Sequence, residues 1–359
     1  MSGKVKRVFP GGNTSLGFYS FYDNMIDKYA NRIFVIKGGP GVGKSSMMKR
    51  VGQEFIRRGY DVEFHHCSSD NNSIDGLVIP ALKVALLDGT APHIVDPKNP
   101  GAVDEIIHLG DYWDTEKIEQ KREDIIKSNK EVGRCFARAY KFLAACRPIV
   151  LDIQEKHKEA MDYGKVNFEI AKLIEGIFTF VDPSPTLGKE RHLFGSAITP
   201  DGHVEHTDSI LDGARTIYYI KGEIGTGKST LLEKVYKEAV IKGIDVEVYH
   251  APLMPEKIET VLIESLGVAF TTSSLFKENN CKTIDLDQYL DKEVIEKYKD
   301  ELEYNKRILN ELFNQGILNI QNAKREHDVV EKYYIAHMNF DAIEKLRYNI
   351  IDRILKYEK

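Results

Sequence analysis

Residues 36–46 read IKGGPGVGKSS, and residues 220–230 read IKGEIGTGKST. Gly38, Gly43, Lys44 and Ser45 therefore recur 184 positions later as Gly222, Gly227, Lys228 and Ser229. The flanks travel with the loops. RRGYDVEFHH (57–66) matches IKGIDVEVYH (241–250) at the same offset, and FPGGNTSLG (9–17) aligns with FGSAITPDG (194–202) one residue out of step. HLGDYWD (108–114) lines up with DLDQYLD (285–291) after a deletion of seven in the second copy. A chance motif does not bring its surroundings along, so the chain is a duplication and each half must be built on one plan. The halves divide at residues 1–183 and 184–359, with VDPSPTLG (181–188), two prolines and a glycine, at the seam.

The plan is α/β. Ile33–Ile36 and Ile217–Ile220 are short, β-branched and stopped by glycine, which predicts buried strands. SSMMKRVGQEFIRRG (45–59) and STLLEKVYKEAVIKG (229–243) have helical spacing and end in glycine, a helix-stop signal. DVEFHH and DVEVYH follow as second strands, and KVALLD (83–88) and GVAFTT (267–272) as third strands. Strand, helix, strand at these lengths predicts a parallel sheet flanked by crossover helices. Residues 115–180 and 291–358 are rich in Glu, Lys, Ile and Leu, so each half should end in a long helical segment, an antiparallel hairpin packed on its own sheet.

The repeated loop has the spacing G-x-x-x-x-G-K-[ST], and it both follows an apolar strand and opens a helix. In that setting successive backbone N–H groups curl around a phosphate, the lysine reaches the β/γ oxygens, and the hydroxyl binds Mg²⁺. The expected nucleotide contacts are Gly38, Gly39, Pro40, Gly41, Val42, Gly43, Lys44, Ser45 and Ser46 in the first half. In the second they are Gly222, Gly225, Thr226, Gly227, Lys228, Ser229 and Thr230, with Ser45 and Ser229 as metal ligands. Two P-loop nucleotidase domains in tandem is the fold this predicts.

A P-loop needs a second magnesium anchor, normally an aspartate ending a neighbouring strand. Asp88, closing VALLD, fits that role, whereas the aligned position in the second half is Thr272, with no carboxylate until Glu278. The second site therefore lacks its acid. Beyond the second strand, HHCSSD (65–70) sits at the edge where ligands bind in such sheets. Asp70 is the candidate to polarise a water, with Cys67, His65 and His66 expected to line the pocket and His93 to lie near the γ-phosphate. The second half has Met254 opposite Asp70 and Lys277 opposite His93. No metal-type spacing links these histidines and Cys67, so pocket-rim residues are the expectation rather than a zinc site. Arg32, Arg134, Arg138 and Arg147 are read as solvated or ion-paired surface residues, which leaves no identified arginine to neutralise transition-state charge.

The balance of charge narrows the partners. With 50 Lys and Arg against 55 Asp and Glu, the net charge of −5 offers no global attraction for nucleic acid or an anionic membrane. Four scattered cysteines fit reduced thiols, and the lack of a long apolar run fits a soluble cytoplasmic protein. The guanine-specifying N-K-x-D tetrapeptide is missing, since NKEV (129–132) and NKRI (305–308) lack the acid, so ATP is the expected nucleotide by elimination.

Two P-loops together with FPGGNTSLGFYSFYD, HHCSSDNNSIDGLVIP and VALLDGTAPHIVDPKNPGAVDEIIHLGDYWD resemble a group of bacterial tandem P-loop ATPases, over nearly the whole chain. The resemblance implies ATP binding and ATPase activity with Mg²⁺. The second copy in that group keeps an aspartate and a TAPH-like turn, where this chain has FTTSSLFKE. The leading expectation is a Mg-dependent ATPase with catalytic Lys44, Asp88 and Asp70 in the first site, and a degenerate, regulatory or structural second site. Its partner would be a protein or a small molecule. A kinase of a nucleotide or small metabolite is the alternative, although no arginine-rich lid is evident. A non-enzymatic ATP-binding scaffold is the third reading.

Overall fold

The computed structural model describes residues 2–90, 94–277 and 281–358. In the first half, β1 (Val5–Val8) leads into the hairpin β2 (Gly11–Thr14) and β3 (Gly17–Ser20). The P-loop strand β4 (Arg32–Lys37) precedes helix α1 (Lys44–Arg57). Strands β5 (Val62–His66), β6 (Ile74–Ile79), β7 (Val84–Asp88) and β8 (Asp104–His108) follow, then α2 (Thr115–Glu119), α3 (Arg122–Ala160) and α4 (Tyr163–Phe178). The second half repeats the series. Its strands are β9 (Glu190–Phe194), β10 (Ser196–Thr199), β11 (Gly202–Glu205), β12 (Thr216–Lys221), β13 (Val246–His250), β14 (Ile258–Ile263), β15 (Val268–Thr271) and β16 (Lys282–Asp285). Its helices are α5 (Thr207–Ile210), α6 (Lys228–Ile241), α7 (Lys292–Lys297), α8 (Lys299–Ile335) and α9 (Phe340–Leu355).

Each half forms a six-stranded sheet, in the orders β1-β5-β6-β7-β4-β8 and β9-β13-β14-β15-β12-β16. The sheets are mixed, not parallel throughout. β6 runs antiparallel to both β5 and β7, and β14 does the same between β13 and β15. The parallel expectation failed because IDGLVI (74–79) is a fully buried run with no alternation, which gives no period to read. The strands that precede the repeated loops, β4 and β12, are flanked by parallel neighbours on both sides, as expected.

The two halves meet around an approximate two-fold relation. Phe9 and Phe194, both fully buried, form an antiparallel bridge between the ends of β1 and β9. Beside it lies a buried ion network of corresponding residues. Arg191 bonds Glu63 at 2.5 Å and Glu247 at 3.1 Å, and Lys6 bonds Glu247 at 2.9 Å. Burial alone would push Glu63 up, but the Arg191 guanidinium outweighs it and holds the carboxyl well below the ordinary range.

The helical segments overturn the expectation that each packs on its own sheet. α3 and α8 run antiparallel along one another: the Tyr298 hydroxyl donates to Glu159 at 2.7 Å, Lys156 pairs with Glu301 at 3.1 Å, and Leu143 packs on Gly316. Each carries its following helix across to the opposite half. Ile343, Ile350, Ile351 and Ile354 of α9 join the first half's core with Met47, Val51 and Phe55 of α1. Val166, Ile170 and Phe178 of α4 join the second half's core with Leu231 and Val235 of α6. The arms are exchanged. A helix of 39 residues spans about 58 Å, enough to deliver its end beyond the sheet it leaves. Among the described residues no helix is long and apolar enough to cross a membrane.

Candidate functional site

Each repeated glycine-rich loop closes between a buried strand and a helix whose first turn has no acidic residue. In the first loop Gly41 and Gly43 hold φ of 70° and 93°, and in the second Gly225 and Gly227 hold 96° and 100°. A side chain is strained in that region, so glycine is needed at these four positions. Val42 is buried and packs into the core below the loop. Its counterpart Thr226 is also buried, and its hydroxyl donates to the Glu223 carbonyl at 2.9 Å.

The Lys44 ammonium donates to the carbonyls of Gly38 and Gly39 at 2.9 and 2.8 Å, and Asp88 stands 3.5 Å away. Asp88 ends β7, directly opposite Ile36 of β4, so the sheet register sets the acid beside the loop. Thr90 ties the corner, its N–H donating to Asp88 at 2.9 Å and its hydroxyl to the Gly38 carbonyl at 3.0 Å. The Ser45 hydroxyl oxygen accepts the Ile74 N–H at 3.0 Å, which links the loop to the inserted strand β6. Asp70, at the turn leading into β6, accepts the Ser73 hydroxyl at 3.0 Å.

The second site repeats the loop and not the acid. Lys228 donates to the carbonyls of Gly222 and Glu223, and the Ser229 hydroxyl accepts the Ile258 N–H at 2.9 Å. In the β12–β15 register Tyr219 faces Thr271, which puts Thr272 where the first half has Asp88. Among the described residues Lys228 has no ion pair. Burial pushes its ammonium below the ordinary value, against the more distant pull of Asp287 and Glu223. Asp287, two residues past the end of β16, accepts the Glu223 N–H at 2.7 Å. Glu278 and His93 lie outside the described residues.

Both loops are roofed by the arm from the other half. A carbon added at Gly41 would meet the Glu331 carbonyl of α8 at 2.9 Å, and one at Gly225 would meet Gln154 of α3 at 2.9 Å. The arms correspond at an offset of 177, from Met161 to Met338, so Lys324 of α8 and Arg147 of α3 are counterparts. Lys324 lies 3.5 Å from Asp70 at the first site's rim. Arg147 pairs with Glu256 at 2.6 Å and donates to the Met254 sulfur at 3.5 Å, at the equivalent rim of the second. Sequence reasoning left Arg147 on the surface and did not consider Lys324, because both are remote in the chain from the loops they reach. The offset of 177 aligns the two residues with each other, but no signal in the sequence shows which loop either one reaches.

Other expected rim residues lie elsewhere. His65 is fully buried and faces Glu63 at 3.3 Å, inside the ion network between the halves. Burial, reinforced by Asp75, pushes the buried Cys67 thiol well above its ordinary value. His66 lies tilted against Phe9 and His206, which stack on each other, and it faces the Asn71 carbonyl at 3.1 Å. His65 and His66 therefore lie at the joint between the halves, and Cys67 lies beside Asp75 within the first half. Arg134 pairs with Glu131, Arg138 covers the Phe142 ring, and Arg32 donates to the Tyr357 hydroxyl at 3.1 Å, all away from the loops.

Compared with known proteins, the chain matches no family model, no curated protein and no solved structure.

Proposed function

We propose that the chain is a Mg-dependent ATPase whose first site turns ATP over and whose second site binds nucleotide in a regulatory or structural capacity. The observation that carries this reading is the Lys44–Asp88 pair at 3.5 Å beside the first loop, set against Thr272 at the same register position in the second. The residues present fit a divalent cation at site one: the Ser45 oxygen accepts one N–H and keeps a second lone pair, and Asp88 offers a carboxylate. Held there, Mg²⁺ would supply charge neutralisation for the phosphates.

The protein's own part is positioning. The P-loop amides hold the phosphates, and Lys44 leaves the loop carbonyls to reach the γ-phosphate. Asp70, fixed by Ser73, orients the attacking water. Lys324, delivered from the other half, adds the positive charge for which sequence reading found no candidate. The likeness to tandem P-loop ATPases supports the same reading.

ATP turnover by the wild type and by Lys44→Ala tests the proposal. Mg-dependent hydrolysis that Lys44→Ala abolishes is expected; turnover that appears only with an added metabolite would favour a phosphotransferase instead.

A further inference from the structure

At the seam between the segment after β8 and the turn from α8 to α9, an open cavity of about 720 Å³ lies beside the first P-loop. Its walls come from both halves: Tyr112, Trp113, Asp114 and Lys117 from the segment after β8, and Asn339 and Phe340 from the turn between α8 and α9. The seam is a short antiparallel ladder. Asp114 N–H donates to the His337 carbonyl at 2.9 Å, and Asn339 N–H donates to the Tyr112 carbonyl at 2.8 Å. The cavity adjoins the loop itself. The Phe340 ring lies 3.5 Å from where a side chain on Gly43 would begin. Trp113 packs on Tyr334 with ring centroids 5.7 Å apart, and Tyr334 in turn covers Gly39.

We propose that this cavity binds the purine base of the nucleotide whose phosphates occupy the first P-loop. The inference rests on the P-loop reading above and extends it to the base. Three arguments on chemistry and place support it. The volume lies within the range of small-molecule sites. β8 flanks the P-loop strand on the side opposite Asp88, so a nucleotide with its phosphates between Lys44 and Asp88 extends its other end toward the segment after β8. The walls combine aromatic faces for stacking with the Asp114–Lys117 ion pair at 2.9 Å, whose remaining carboxylate lone pairs and ammonium N–H groups face the edge of a purine. At the second seam, Met161 bridges Leu290 where Met338 bridges Trp113, and the Tyr163 hydroxyl is turned onto the Gly225 carbonyl at 3.1 Å. The base site therefore belongs to the first half's nucleotide.

Trp113 is the only tryptophan in the chain, so its emission reports on this cavity alone. The full-length protein is titrated with MgATP, MgGTP, MgUTP and magnesium tripolyphosphate, with Trp113 emission and calorimetric binding read together. Expected are quenching by the purine nucleotides well beyond that by tripolyphosphate, and an affinity loss of about tenfold for those nucleotides in Phe340→Leu. Phe340→Tyr restores the affinity, and tripolyphosphate binds the variants and the wild type alike. The ATP and GTP arms decide which purine the cavity prefers. If tripolyphosphate binds as tightly as ATP and quenches equally, or if UTP does as well as both purines, the base site is overturned while the P-loop reading stands. If no phosphate compound binds and Lys44→Ala changes nothing, both fall.

Discussion

Phe9 and Phe194, 185 positions apart, exchange backbone hydrogen bonds in both directions, at 2.9 and 3.0 Å. This reciprocal pair marks the point about which the halves are related, so the chain is a covalently linked pseudo-dimer. The isologous logic of a two-fold interface then applies within one polypeptide: what one half gives, it also receives. The exchanged arms are the largest instance, and they make each P-loop the property of both halves.

The unequal pair of loops predicts unequal mutants. Lys44→Ala or Asp88→Ala should lower ATP turnover at least 100-fold, because the first removes positive charge beside the transferring phosphate and the second removes the carboxylate that would hold Mg²⁺. Lys228→Ala should lower it less than about tenfold. Steady-state hydrolysis measures all three, and an equal loss from Lys228→Ala would refute the asymmetry.

Lys324 reaches the first site only through the arm exchange. Lys324→Ala is expected to reduce kcat about 10- to 100-fold with little change in nucleotide Kd, since the ammonium contributes where charge develops. Lys324→Arg should recover part of the rate. A kcat unchanged in Lys324→Ala would leave the lysine as a plain ion-pair partner of Asp70 and Asp328.

Removing residues 340–359 deletes α9 and exposes the first half's core where Ile343, Ile350, Ile351 and Ile354 seal it. At about 1.5–3 kcal/mol per buried isoleucine, the loss rivals the stability of a whole domain. Thermal melting followed by circular dichroism should show the first half unfolded or strongly destabilised in this truncation. A melting curve like that of the full chain would mean that α9 adds little to the core it touches.

Arg191 is held between Glu63 and Glu247 in the buried joint. Arg191→Met should cost about 3–5 kcal/mol in urea unfolding at pH 7, because it leaves buried carboxylates with only Lys6 to compensate them. Adding Glu63→Gln to that variant should return part of the loss, which a double-mutant cycle measures.

Glu259 on β14 gives stability a pH dependence. Burial pushes its carboxyl up to about 7 against the hydrogen bond from the Ser196 hydroxyl, and the nearby Glu205 charge adds to the rise. Between pH 4.5 and about 7 the folded state keeps a proton that the unfolded chain has lost, so this group's contribution falls as pH rises through that window. The displacement from 4.5 to about 7 is worth about 3 kcal/mol. Glu259→Gln should therefore be more stable than the wild type at pH 8 and close to it at pH 4.5, as compared by urea melts at the two pH values. A difference that does not change with pH would show that Glu259 does not titrate there.

Much of the molecule can be read from residues 33–46 and their echo at 217–230. The strand, loop and helix are local, and so are the glycines that the positive φ angles require. The exchange of Asp88 for Thr272 is visible by alignment, because the offset of 184 is preserved through the third strands. What the sequence could not decide was which partner each apolar face meets. The isoleucines of α9 have the spacing of a half-buried helix, and that spacing is satisfied equally by either sheet. Periodicity states that a face is buried, not against what. The choice was made at long range, by the antiparallel contact of α3 with α8 and the joint at Phe9 and Phe194. Those contacts carry Arg147 and Lys324 to loops far from them in sequence, and they bring together the two walls of the open cavity at Trp113. The chain alone determines two glycine-rich loops and one acid beside them, and the tertiary structure decides that neither loop belongs to a single half.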